Sequence, residues 1–359
     1  MERINTNLDS EMKLNLKLSF PFVKTFLVSI ISFVILLKLP PVLFDAKMAA
    51  KVFNFGIYQL ILNPWTENTQ WDQFFTPWIL WVSGLISKPE DLVFILNWFT
   101  ILSGVIFVGF IAHRLDWLLA ISLCFILSSS PLYLIFQTWI GFSDPITFLL
   151  ITLYLILLYS EFLPKLKILY LSFVLFLGMT NHLFQMLALV LLVNVFYLVY
   201  HKDKTKILFG AYVFAFVMYV LFLFYILQCT PIGWNQTRVS VFSKMWGNEF
   251  IRMNQSEFLL GTVGLFHGLW PFVVYIMYRM PISILGFVFC YLLSMMTYDT
   301  GRVFAILSTP ILLLFSIQNW QTANFFEKRN SILFSIGSII ICKLYPLFYK
   351  WDGKITYLQ

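Results

Sequence analysis

The chain is organised as a series of apolar runs separated by short polar segments. Most runs are roughly 16–22 residues long, the length at which an α-helix crosses a bilayer core. We therefore predict an all-α fold, a polytopic transmembrane helical bundle of about 11 spans. The run at 168–179 is short for a full crossing and is expected to end at a water-filled cavity. The predicted spans are residues 20–39, 92–112, 117–136, 145–162, 168–179, 183–200, 207–228, 258–278, 282–297, 303–317 and 331–348.

A long polar-mixed segment, residues 40–91, follows the first predicted span. Pro40 and Pro41 stop the span, since proline cannot donate to the helical ladder. Residues 46–62 then carry a polar stripe at helical spacing, which begins with Lys47 and Lys51. That pattern predicts an interfacial helix lying on the membrane. The segment is therefore expected to be a first outer loop with interfacial or re-entrant helices.

The run from Phe74 to Ile86 decides the topology. It is short and contains Trp78 and Trp81, a residue type that favours the level of the lipid headgroups. If this run spanned the bilayer, the lysine-rich turns at residues 164–167 and 201–206 would lie outside. We therefore predict that it is re-entrant or interfacial.

Positive charge and unusual polar residues fall in two different sets of segments. Short loops rich in Lys and Arg stay cytoplasmic, so the first set, together with the arm at residues 1–18, is predicted to face the cytoplasm. That set is residues 113–114, 164–167, 201–206, 279 and 327–329. The second set should lie together on the opposite face. It comprises Asp45, Asp144, residues 181–182, the outer loop at 229–257 and residues 298–302.

Composition narrows the class of protein. A chain of 359 residues that is 60% hydrophobic and 11% charged has no polar coat for a soluble globule. It reads as a single membrane-embedded domain, residues 1–359, and its net charge of +7 reflects topology and lipid phosphate, with no nucleic-acid partner. The four cysteines lack zinc spacing and give no disulfide framework. No metal site is predicted, although a divalent metal would be compatible with the chemistry below.

Two aspartates on the predicted outer face are candidate catalytic residues. Asp45 precedes the interfacial helix, where it is either the helix N-cap or a base held at the bilayer surface. Asp144 is followed by Pro145 at the head of a span, a pattern typical of an N-cap. Two carboxylates converging on one pocket would suit an acid/base or metal-assisted reaction.

Arg302 opens a predicted span, where a guanidinium is costly without a partner. It could pair with Asp299, or its planar fork could hold a phosphate in two parallel hydrogen bonds. The second interpretation is favoured. The candidate substrate- or phosphate-binding residues on this face are Lys47, Lys51, His182, Arg238, Arg252, Asp299 and Arg302.

This layout resembles the GT-C superfamily of integral-membrane glycosyltransferases. The similarity lies in a cytoplasmic N-terminus, one span, a long outer loop with interfacial helices, and acidic residues gathered on the outer face. The resemblance implies a polyprenyl-phosphate-linked sugar as donor and a glycan, lipid or protein as acceptor. It further implies that Asp45 is the general base, with Glu67 and Asp72 as alternatives, and that Asp144 is a second outer-loop acid. The expected location is a bacterial inner membrane, with the site on the periplasmic or extracellular face.

Other classes remain open. A polymerase or ligase of lipid-linked glycans would depend on Arg302 and His182 more than on Asp45. A lipid or polysaccharide transporter would be expected to show related halves and charges at the bilayer midplane, which are not evident here. A scaffold subunit of a larger complex is a further alternative.

Overall fold

The described part of the protein is built almost entirely from α-helices. The computed structural model describes residues 23–38, 61–63, 74–138, 143–229, 264–295, 300–345, 347–349 and 355–357. Residues 23–38 form α1. The next helices are α2 (Phe75–Ser83), α3 (Pro89–Arg114), α4 (Trp117–Ser128), α5 (Pro131–Thr138), α6 (Asp144–Tyr159), α7 (Pro164–Tyr200) and α8 (Thr205–Cys229). They are followed by α9 (Trp270–Arg279), α10 (Ile282–Met295), α11 (Thr300–Thr322) and α12 (Phe325–Leu344).

Three short elements complete the described fold. Single 3₁₀ turns lie at Lys202–Lys204 and His267–Leu269. After α12, the strands β1 (Leu347–Tyr349) and β2 (Ile355–Tyr357) pair antiparallel, with Phe348 opposite Thr356. The expected all-α class is thus correct for the described residues apart from this small ribbon.

Four of the described helical segments are long and apolar enough to cross a membrane: Phe94–Arg114, Pro164–Tyr200, Lys202–Gln228 and Gly301–Thr322. This supports a membrane protein with transmembrane helices. By the same length criterion the predicted count of about 11 spans is not confirmed. One reason is that breaks shorten some apolar runs. The run predicted at 117–136 is divided at Ser129 and Ser130 into α4 and α5.

Helix α7 is a hairpin rather than one straight rod. His182 interrupts its 37 residues with extended backbone angles, φ −158° and ψ 87°. The two arms, 164–181 and 183–200, then lie side by side, because a Cβ on Gly178 would meet the Met186 side chain at 2.5 Å. Their far ends meet as well, since Lys167 Nζ and Tyr197 Oη both donate to the carbonyl of Leu158, at 2.8 and 3.0 Å.

The first arm of α7 differs from its prediction. The short run at 168–179 was expected to end early at a cavity. In the structure the arm begins at Pro164 and reaches residue 181, which is about 27 Å of helix. Lys167, read as part of a polar loop, is only 6% exposed and donates to the carbonyls of Leu158 and Ser160 at the end of α6.

Helix α2 is too short to cross a bilayer. Its nine residues rise about 14 Å, less than half of a typical hydrocarbon core. It ends at Gly84, whose left-handed φ of 61° suits glycine. This length agrees with the expectation that the run from Phe74 to Ile86 is not a span. The preceding predicted interfacial helix, residues 46–62, lies almost entirely outside the described residues.

The helices place polar groups at two opposite ends of the bundle. Arg302, near the start of α11, and Gln318, near its end, are about 24 Å apart along that helix. We call the end that contains Arg302 the Asp144 end, and the end that contains Gln318 the lysine end. Helix α12 starts at the lysine end, where Asn319 Nδ2 donates to Ser331 Oγ over 3.3 Å. It finishes near the Asp144 end, where the Cys342 thiol donates to the carbonyl of Ser129 over 3.3 Å.

Candidate functional site

Three helical segments run parallel and in register, and their register positions the candidate site. Between α6 and α11 the register is fixed at both ends. Asp144 and Arg302, 158 residues apart, are bonded at one end, and Tyr159 and Gln318, 159 residues apart, at the other. Because the separation hardly changes, the two helices keep the same level along their whole length.

The second arm of α7 runs alongside both of these helices. Tyr154 Oη donates to Asn194 Oδ1 across a separation of 40 residues, and Tyr197 Oη reaches Leu158 across 39. Toward α11, Gln318 Nε2 lies 3.1 Å from His201 Nε2, a separation of 117 residues. The starts of α6, of this arm and of α11 therefore meet at one end of the bundle, the Asp144 end.

A buried ion pair lies at the Asp144 end. Arg302 Nη1 donates to Asp144 Oδ2 over 3.0 Å, and the two side chains are 12% and 4% exposed. In so apolar a setting each charge needs the other, since an isolated ion would lose most of its solvation. The prediction that Asp144 is an N-cap is wrong: Ser143 occupies that position, and the Asp144 carboxylate turns to Arg302 instead.

The tip of the α7 hairpin is bonded directly to the start of α6. Asn181 Nδ2 donates to the carbonyl of Ser143 over 3.2 Å and to Thr147 Oγ1 over 2.8 Å. Asn181 Oδ1 accepts a hydrogen bond from Thr76 Oγ1 of α2. One buried amide thus ties together three elements, α2, α6 and α7, beside the ion pair.

The structure brings only some of the predicted site residues together. Asp144 and Arg302 are in contact, and His182 lies half-buried at the hairpin tip next to Asn181. The predicted residues outside the described part of the chain are Asp45, Lys47, Lys51, Glu67, Asp72, Arg238, Arg252 and Asp299.

Thr76 and Gln185 are among the polar residues of this end that were not in the predicted set. Thr76 lies in the tryptophan-rich run before α3, and Gln185 follows three residues after His182. Each is a single uncharged polar residue within an apolar stretch, and both are buried. A lone amide or hydroxyl in such a run is itself a signal, because it costs free energy unless it gains a partner.

The opposite end holds the lysine-bearing turns. Lys167 donates to a backbone carbonyl at the end of α6. Lys204 pairs with Asp203 at 2.6 Å, and Arg279 pairs with Glu327 at 2.7 Å. The cation-rich and the Asp144-containing segments therefore lie at opposite ends of the described structure, as the sequence pattern predicts.

His201, at the lysine end, is expected to make the stability of the folded protein depend on pH. Burial lowers the pKa of His201 from its ordinary 6.5; Asp203 opposes this shift, and Lys204 and Lys167 reinforce it. A lowered pKa means that the unfolded chain binds the proton more tightly, so stability falls as pH drops below about 6.5. The loss stops once the pH has passed the pKa of the folded protein.

Thermal unfolding of the wild type is accordingly expected to shift to lower temperature between pH 7 and pH 5. His201→Gln should show a shallower dependence, because Gln318 then faces no group that can charge. His113→Gln, which alters an exposed histidine in the last turn of α3, is the control. Equal slopes for wild type and His201→Gln would contradict this account.

Within the described ranges, no three His, Cys, Asp or Glu side chains are grouped so as to hold a metal ion. Comparison with family models, with curated proteins and with solved structures gives no match to this chain.

Proposed function

We propose that this protein is a membrane glycosyltransferase of the GT-C type. It would move a sugar from a polyprenyl-phosphate carrier to a glycan, lipid or protein acceptor on the non-cytoplasmic face. One observation carries the proposal: a carboxylate and a guanidinium, 158 residues apart, are buried together at the bundle end opposite the lysine-bearing turns. Buried charges in membrane proteins commonly mark functional sites.

The proposed orientation follows from the charges. Lysine- and arginine-rich loops stay in the cytoplasm, so the Asp144 end would face outward, in a bacterium toward the periplasm. About 11 crossings are part of the proposal. Support comes from the hairpin at His182, which makes two crossings of α7, and from the short apolar helices α4, α6 and α10.

The proposed reaction needs a base and a phosphate site. An acceptor hydroxyl attacks the anomeric carbon, its proton passes to a carboxylate, and the bond from that carbon to the lipid phosphate breaks. The departing lipid phosphate is an anion and is stabilised by cations. A guanidinium has five N–H donors, so Arg302 can contact phosphate while Nη1 stays on Asp144.

The ion pair suggests different roles for Asp144 and Asp45. Arg302 donates to an oxygen of Asp144, which suits a residue that positions the guanidinium. Asp45 is then the better candidate for the base, with Glu67 and Asp72 as alternatives. Lys47, Lys51, Arg238 and Arg252 are proposed as further phosphate contacts on the same face.

Asp45→Asn is expected to lower sugar transfer by roughly 10²–10⁴-fold, the usual contribution of a general base. The measurement uses the full chain in lipid nanodiscs with a panel of radiolabelled polyprenyl-phosphate hexoses. Asp203→Asn, which changes an exposed carboxylate at the lysine end, should keep full activity. If Asp45→Asn is fully active, Asp45 is not the base. If the wild type uses no donor of this class, the function itself is rejected.

A polymerase or ligase of lipid-linked glycans is the second candidate. The observation that favours it is that Arg302 and His182 share the Asp144 end while Asp144 is held by an arginine. Alanine variants at Asp45, His182 and Arg302 separate the two enzymes. A transferase loses most activity at Asp45, and a polymerase or ligase at the other two positions.

A further inference from the structure

Gln185 is a buried amide that makes no hydrogen bond within the described part of the chain. Its side chain is 5% exposed, and neither its oxygen nor its nitrogen has a partner among the described residues. The other buried amides of α7 and α11, which are Asn181, Asn194, Gln318 and Asn319, are all bonded. Leaving an amide unpaired in an apolar interior costs free energy, so an unbonded one is suited to receive a ligand.

The register of the helices places Gln185 beside the ion pair. His201 and Gln318 lie at the same level and are 117 residues apart in the chain. Arg302 comes 117 residues after Gln185, so these two residues also lie at the same level. Residues of this arm lie level with the α6 residues that come 39 or 40 positions earlier in the chain. For Gln185 those positions fall in the first turn of α6, which begins with Asp144. Gln185 therefore lies at the level of the candidate site and not in the middle of the bundle.

The side chain of Gln185 also points toward α11. Gln185 comes eleven residues before Phe196, about three helical turns, so the two share a face of the second α7 arm. That face is directed at α11, because the rings of Phe196 and Phe315 are 5.3 Å apart between centroids. At the level of Gln185, the same face meets the start of α11, where Arg302 lies.

The chemistry of the amide selects a kind of ligand. Gln185 offers an oxygen acceptor and an NH₂ donor side by side, and both are unused. A phosphate could use only the donor, and a cation only the acceptor. A pair of neighbouring hydroxyls can use both, since each hydroxyl donates and accepts. The adjacent Asp144–Arg302 pair has no net charge, which also suits a neutral group.

We infer that Gln185 is a specificity-determining residue that binds hydroxyls of the sugar on the lipid donor, while Arg302 holds the phosphate. This inference rests on the proposed function and adds to it. The amide would discriminate among sugars by the arrangement of their hydroxyls, because a buried amide left unpaired by the wrong sugar costs affinity.

The experiment compares binding of two probes to the full chain in nanodiscs. One is bare polyprenyl phosphate, and the other is the same lipid carrying glucose, mannose or galactose. For the wild type we expect at least one glycosylated lipid to bind about tenfold more tightly than the bare lipid, the equivalent of a hydrogen bond to a buried group. Gln185→Leu should lose this gain and bind bare polyprenyl phosphate as the wild type does.

Gln318→Leu is the matched control, since it removes a buried glutamine from the other end of the same helical register. Gln318 is bonded to Tyr159 and contacts His201, so its variant should melt at a lower temperature and keep the sugar preference. Gln185→Leu removes an unbonded amide and should not lower the melting temperature. Gln185→Met, of closer shape, serves if the leucine variant fails to fold.

Three results would overturn the inference. If the Gln185 variants keep the sugar-dependent gain, the amide holds buried water only. If they lose affinity for bare and glycosylated lipid equally, Gln185 supports the site without reading the sugar. In both cases the proposed function stands. If the wild type binds none of these lipid phosphates, the proposed function and this inference fail together.

Discussion

Replacing Arg302 with methionine is expected to lower the free energy of unfolding by about 3–5 kcal/mol. The reason is the state in which it leaves Asp144, a carboxylate that is 4% exposed and has lost the guanidinium 3.0 Å away. Asp144→Asn is expected to be costly too, because it removes a carboxylate that compensates the guanidinium near the apolar core. The measurement is reversible unfolding in mixed micelles, followed by tryptophan fluorescence.

The double variant separates the ion pair from the two charges taken singly. Asp144→Asn combined with Arg302→Met removes both charges of the pair, so most of the lost stability should return. Arg279→Met is the matched control. Arg279 is also paired with a carboxylate, Glu327 at 2.7 Å, but the two are 28% and 23% exposed, and its loss should cost about 1 kcal/mol or less. An Arg302→Met cost as small as that of Arg279→Met would contradict the assignment of a buried pair.

The same variants test whether the ion pair does more than stabilise the fold. Under the proposed function, the double variant is folded but inactive, because it has no guanidinium for the lipid phosphate. A double variant that regains both stability and sugar transfer would assign Asp144 and Arg302 to structure alone.

Sequence reasoning identified the need of Arg302 for a partner but could not identify Asp144 as that partner. The free-energy cost of a guanidinium near hydrocarbon depends on the residues that flank it, so it can be inferred from the sequence. The partner depends on the parallel register of α6 and α11, which is set by contacts 158 and 159 residues apart. A single sequence contains no direct record of such long-range pairings.

Lys167 shows why hydropathy misplaced the start of a helix. By hydropathy a lysine marks a loop, because its charge favours water. In the structure the ammonium group donates to two carbonyls at the end of α6, where the helix dipole is negative. Hydropathy records the charge of a residue but not the partner that compensates it, so the arm of α7 was predicted too short.

The hairpin tip was easier to predict in position than in function. Asn181 and His182 interrupt two apolar runs, and the chain reverses there. What the sequence could not show is that Asn181 reaches both α2 and α6. Thr76 of α2 lies 105 residues away in the chain, in a run whose tryptophans are its most evident feature.

Replacing Asn181 with leucine is expected to lower the free energy of unfolding by about 2–3 kcal/mol. The change removes three hydrogen bonds and leaves buried partners at Ser143, Thr147 and Thr76. Single hydrogen bonds in membrane proteins contribute less than in water-soluble ones, about 0.6 kcal/mol on average, so the sum stays modest. The buried Thr76 hydroxyl loses its acceptor, which adds to the cost, whereas the Ser143 carbonyl and the Thr147 hydroxyl keep other hydrogen bonds.

Asn194→Leu provides the comparison, because it removes a buried asparagine from the same helical arm. Asn194 accepts one hydrogen bond, from Tyr154, and its loss should cost about 1 kcal/mol. The two asparagines act at different places: Asn194 joins α7 to α6 in the middle of the bundle, whereas Asn181 fixes the hairpin tip beside Asp144. Asn181→Leu should therefore reduce activity beyond its effect on stability, and Asn194→Leu should not. Equal losses of activity in two folded variants would mean that the tip is no more important to the site than the middle of the helix.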